Sequence, residues 1–92
     1  MESIVIRSFH NDEVRFAFVY NGRLYTMMMN WSLEQNHWNL HTYDQELLKD
    51  PDQHGFIVNQ LLSNYRVKEF FKEKNISHDQ IFCKDCENVT VE

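Results

Sequence analysis

Glycine and proline are nearly absent, at two and one in 92 residues. With so little of either, and no low-complexity tract, the chain is neither a flexible linker nor a disordered tail. No run of about 18 apolar residues occurs, so no helical membrane span is expected. The start, Met1-Glu2-Ser3-Ile4-Val5-Ile6-Arg7, has an early acid and too short an apolar run for a signal peptide. Cysteine is limited to Cys83 and Cys86. Without an export signal both are expected to stay reduced, in a cytoplasmic protein. On the same ground the N-x-S/T triplets at Asn30, Asn75 and Asn88 read as chance matches.

Catalytic signatures are missing too. There is no G-x-S-x-G and no H-E-x-x-H, and Gly22 and Gly55 lie too far apart to cradle a phosphate. No positioned nucleophile, base and oxyanion site can be assembled from the sequence. The expectation is a protein that acts by binding, with no catalytic residue and no cofactor.

Aromatics are plentiful: seven Phe, four Tyr and two Trp, with four Met beside them. Such side chains bury large areas each and supply a core for one small domain spanning 1–92. The first half reads as strand. Ile4 to Phe9 is a short apolar run, and Val14 to Tyr20 alternates. Asn21-Gly22 follows, a type I′ hairpin signal because that turn needs φ > 0 at both central positions. A two-residue turn fixes the register. Tyr20 then faces Arg23, Phe18 faces Tyr25, Phe16 faces Met27, and Val14 faces Met29. One face becomes apolar and demands a cover. The other, with Arg15, Ala17, Val19, Leu24, Thr26 and Met28, is mixed. A further strand is expected over 37–43.

The second half reads as helix. Asp44 to Leu48 is a short helical turn ended by Asp50-Pro51, and a longer helix starts near Gln53. Val58, Leu61, Leu62 and Tyr65 share one face at 3.6 spacing, whereas Val67, Phe70 and Phe71 fall on another. The slip near Ser63-Asn64 predicts a kink or two consecutive helices. Asn75 is a helix stop. Ser77-His78-Asp79-Gln80 has capping-box spacing, and 88–91 is a candidate terminal strand. Strands first and helices after give an α+β fold: a small antiparallel sheet, with an Asn-Gly hairpin in its N-terminal strands, covered by C-terminal helices.

Each candidate chemistry has a plainer alternative. Cys83-Lys84-Asp85-Cys86 supplies two thiols, with His78 the nearest third ligand in sequence, but a structural zinc site needs four. Nearby Asp85 and Glu87 would raise a thiol pKa, against redox use. The cysteines are therefore assigned to packing and no metal ligands are expected. His37 and His41 lie four apart, which on a strand separates them by about 13 Å. Of Met27, Met28 and Met29, alternation sends two to the core. Met28, Trp31 and Trp38 make a candidate apolar patch for a partner or a second copy.

The net charge is −5, from 14 acids and nine bases. This disfavours direct contact with nucleic acid or an anionic membrane. Arg66, Lys68, Lys72 and Lys74 crowd into one stretch with Glu69 and Glu73. Outside positions 66–74, 12 acids face five bases. Asp12 and Glu13 fall beside the first hairpin, and Asp44, Glu46, Asp50 and Asp52 fall within nine residues. Carboxylates held on a rigid scaffold are able to occupy a groove built for DNA phosphates.

In length, in the hairpin half around Phe16-Ala17-Phe18-Val19-Tyr20-Asn21-Gly22, and in the segment Asp50-Pro51-Asp52-Gln53-His54-Gly55-Phe56, the chain resembles the anti-restriction proteins of T-even bacteriophages. That resemblance implies a homodimeric DNA mimic in the host cytoplasm. It would block a modified-cytosine restriction nuclease or compete with DNA for a nucleoid-structuring protein, without touching nucleic acid or membrane itself. The residues expected to stand in for phosphates are Asp12, Glu13, Glu34, Asp44, Glu46, Asp50 and Asp52. The alternative is a non-enzymatic host-takeover or transcription adaptor that binds through the apolar patch.

Overall fold

The computed structural model describes residues 3–84 and Cys86. Nine elements follow one another: β1 (Ser3–Phe9), β2 (Glu13–Tyr20), β3 (Arg23–Ser32), β4 (His37–His41), α1 (Gln45–Leu48), α2 (Pro51–Ser63), α3 (Tyr65–Glu73), a 3₁₀ turn (His78–Gln80) and β5 (Ile81–Cys83). The strands form one sheet in the order β1-β2-β3-β4-β5. The expected α+β class holds, with strands mostly N-terminal and helices after them. No helix among the described residues is long and apolar enough to cross a membrane.

The central hairpin has the register its turn dictates. Asn21 and Gly22 take φ of 50° and 77°, and Tyr20↔Arg23, Phe18↔Tyr25, Phe16↔Met27 and Val14↔Met29 are paired. Pleating therefore places Val14, Phe16, Phe18, Tyr25, Met27 and Met29 on one face, where all are buried. The helices cover that face. Phe71 of α3 meets Phe16 edge-on at 6.3 Å, and Phe56 of α2 meets Tyr20 at 5.8 Å. Arg66 ties α3 to the sheet's edge by donating from Nη1 to the Ile4 carbonyl at 3.2 Å.

Several local expectations need correction. The short helix α1 does end just before Asp50-Pro51, at Leu48, but the same pair also begins the next helix, earlier than the expected start near Gln53. Asp50 is the N-cap of α2, its carboxylate accepting from Gln53 N, and Pro51 occupies the first turn. Proline suits that position because its missing N–H would have had no helical partner anyway. The slip after Ser63 resolves into two helices with Asn64 between them. Its backbone N–H reaches Leu61 O at the end of α2, and its side chain accepts from Arg66 N and Val67 N at the start of α3. Tyr65 is thus not on the α2 face; it opens α3 and is 73% exposed.

The last strand among the described residues is β5, which pairs parallel to β4 through Trp38↔Ile81, Asn39↔Phe82 and Leu40↔Cys83. The four N-terminal strands are antiparallel as expected, so the sheet is mixed. The candidate strand at 88–91 lies outside the described residues. The cysteines, expected to be reduced, are joined to one another as Cys83–Cys86. Their Cα atoms stand 5.7 Å apart, within the ordinary span of a disulfide.

Candidate functional site: the uncovered face of the sheet

Among the described residues, the helices cover one side of the sheet only. The other presents Val5, Arg7 and Phe9 from β1, Arg15 and Ala17 from β2, Thr26 and Met28 from β3, and His41 from β4. These residues line a trough of about 370 Å³ that continues to Tyr43. Val5 is 48% exposed, and Leu24 and Phe82 towards its margins are more so. In a domain of this size, apolar side chains contiguous on one face mark an interaction surface more often than scattered ones do.

A chain of polar contacts crosses this face from strand to strand. The Arg15 guanidinium lies 4.5 Å from the centre of the Phe9 ring. Its Nε donates to Glu13 Oε2 at 2.6 Å. Asn30 Nδ2 donates to the other Glu13 oxygen at 3.4 Å, and Asn30 Oδ1 meets His41 Nε2 at 2.8 Å. With the Asn30 amide oriented by Glu13, its oxygen requires a proton on His41 Nε2. Burial pushes the His41 imidazole below its ordinary pKa of 6.5, and the nearby Lys84 charge adds to that, while Glu13 opposes it. His41 is therefore held as a neutral hydrogen-bond donor. Nothing here resembles a nucleophile with its base. The arrangement fixes side chains in place and leaves cationic and apolar groups on show.

Of the predicted phosphate mimics, Glu13 lies on this face and the others lie in turns, loops and helix starts. Asp12 sits in the β1–β2 turn and Glu34 in the β3–β4 loop, both exposed. Glu13 belongs to the polar chain just described. Asp44 caps α1, accepting from Glu46 N and Leu47 N, and binds Arg23 Nη2 at 2.6 Å. Burial alone would raise the Asp44 pKa. The Arg23 bond, that residue's charge and the two backbone N–H groups outweigh it and hold the carboxyl below 3.8. Arg23 is pushed up in turn, first by that same bond. Glu46 lies 3.3 Å from the other Arg23 nitrogen. Asp50 caps α2, and Asp52 stands exposed in its first turn. The fold thus brings Asp44, Glu46, Asp50 and Asp52 to the starts of two successive helices. It also spends part of their charge on capping and on Arg23.

The candidate apolar patch is split by the sheet. Trp31 and Trp38 pair across β3 and β4 at 5.5 Å on the helix side, and Trp38 is buried. Met28 points the other way. Positions 28 and 31 differ by three, an odd number, so strand parity is the signal that separates them. His37 and His41, as expected on a strand, bind different partners: His37 meets Asn39 at 2.9 Å. The sequence did not single out Arg7, Phe9 or Asn30, because each becomes legible only once β1 and β4 are placed beside the hairpin.

Comparison with family models, with curated proteins and with solved structures finds no match.

Proposed function

We propose that this domain is a non-catalytic adaptor that binds a partner protein on the uncovered sheet face. The observation that carries this is the exposed trough, with its apolar floor at Val5, Ala17 and Met28 and cationic flanks at Arg7 and Arg15. A matching partner offers apolar side chains with carboxylates beside them. Apolar burial supplies affinity, and the arginines set orientation. The long-range field of a chain at −5 disfavours a polyphosphate in the same place.

The acidic corner formed by Asp44, Glu46, Asp50 and Asp52 favours a second reading. In it the domain is a homodimeric DNA mimic of the anti-restriction type, inhibiting a host DNA-binding protein in the host cytoplasm. The partial neutralisation by Arg23 makes this the weaker of the two.

One experiment separates them. Amide spectra of the labelled protein are recorded with a peptide rich in Leu, Phe and Glu, then with its Lys-for-Glu counterpart. The adaptor reading expects shifts at Val5, Arg7, Ala17, Thr26 and Met28 with the acidic peptide only, lost in Met28→Asp. Shifts confined to 44–52 with the basic peptide would overturn it in favour of the mimic. No shifts with either would remove the trough as a binding surface.

A further inference from the structure

We propose that His54, Cys83 and Cys86, with both cysteines as thiolates, bind one zinc ion. No residue of the uncovered sheet face or of the acidic corner is a ligand at this site. The sequence offered His78 as the third ligand because it lies five residues before Cys83. The fold sends His78 elsewhere, edge-on to Phe71 at 5.5 Å. It brings His54 instead, from 29 positions upstream of Cys83. One nitrogen of His54 and the two sulfurs all lie within 4.8 Å of one another.

Three local features produce this convergence. Asp50 and Pro51 fix where α2 starts, so His54 completes its first turn facing inward, fully buried. Parallel pairing sets Cys83 beside Leu40, and alternation along β5 buries Ile81 and turns Phe82 out. Cys83 therefore faces the helix layer, on the side of the buried Trp38 and Leu40. Lys84 N donates to Leu40 O at 3.1 Å, which anchors the chain between the cysteines. Cys86 then returns to pack against the same core.

The donor set selects the metal. Two thiolates and an imidazole suit zinc, not the oxygen-seeking magnesium or calcium. Zn–S bonds of about 2.3 Å and Zn–N bonds of about 2.0 Å place tetrahedral ligand atoms roughly 3.3–3.8 Å apart. The three atoms already lie within 4.8 Å of one another, and opening the Cys83–Cys86 bond lets the sulfurs part to that spacing. Two thiolates also neutralise a divalent cation, which removes most of the penalty of holding charge against a core. Water completes the tetrahedron. The disulfide and the metal are alternative states of the same two sulfurs, because only the dithiolate has the charge to bind zinc.

The test uses the full chain, kept reduced with a phosphine and titrated with zinc and with cobalt(II). Expected are one metal per chain, intense tetrahedral cobalt bands with a thiolate charge-transfer band, and a rise in Tm on adding zinc. Ring-nitrogen spectra of ¹⁵N-histidine protein should shift at His54 and at no other histidine, a readout that needs no variant. Cys83→Ser with Cys86→Ser should abolish stoichiometric binding. His54→Asn should weaken it by more than the roughly 10–100-fold typical of losing an outer-shell group. Substoichiometric metal in the reduced protein would overturn the site. So would undiminished binding by the double serine variant, or zinc bound with the His54 ring unmoved.

Discussion

At the residue scale, Gly22 and Asp44 each do something no neighbour can replace. Gly22 sits at φ 77°, and a Cβ built there meets nothing within 4 Å. Any cost of Gly22→Ala is therefore backbone strain alone, about 1 kcal/mol for a left-handed residue. Urea unfolding should show that loss with an unchanged slope. Asp44 joins a helix cap to the Arg23 ion pair. Asp44→Ala should lower stability by about 1–2 kcal/mol, the usual range for a lost cap. The pH dependence has a definite sign. The Asp44 pKa is lower folded than its ordinary 3.8. The unfolded chain therefore binds more protons in the window between those two values. The contribution of Asp44 is complete above 3.8 and fades as pH falls through the folded pKa. Tm measured from pH 5 to pH 2 should fall less steeply for Asp44→Ala than for the parent protein.

At the scale of elements, what was legible depended on whether the signal was local. Asn21-Gly22 dictates a turn, the turn dictates the register, and the register dictates which methionines are buried; each step needs only neighbouring residues. The Ser63-Asn64 slip was local in the same way, and it marks a true boundary between α2 and α3. Asn64→Ala should cost about 1 kcal/mol by uncapping α3. Circular dichroism during thermal melting would report that loss as a lower Tm with little change in native helicity. Asp50-Pro51 was legible as a stop for α1 but not as the start of α2, because a residue before proline resists helix while proline itself suits a first turn. β5 was missed because three residues show no alternation and its partner β4 is remote in sequence. The candidate metal ligand His54 was missed for that reason too: no spacing rule connects it to the cysteines.

At the scale of the whole molecule, the division of labour is between two sides of one sheet. The helix side holds the core. The uncovered side leaves Val5, Phe9, Leu24 and Phe82 exposed, beside the Arg15–Glu13–Asn30–His41 chain. The acidity that dominates the composition is distributed by the fold into caps, ion pairs and loops. Composition alone therefore overstated how much carboxylate charge stands together. The split of Met28 from Trp31 and Trp38 makes the same point, since residues close in sequence end on opposite sides of a sheet about one strand thick.

The parallel pairing of β5 with β4 also sets an order of events. β1 to β4 form a meander whose contacts join near neighbours in the chain, and such contacts close cheaply and early. Ile81 reaches Trp38 only after the whole helical segment has been laid across the sheet, because loop closure over that length must come first. Docking of β5 is thus expected on the native side of the folding barrier. Stopped-flow measurements on Ile81→Val should show faster unfolding with a nearly unchanged folding rate. On a ribosome, the meander would already be formed while residues 81–86 were still being delivered. The two sulfurs would then reach His54 as the closing step, fastening a sheet that had been assembled without them.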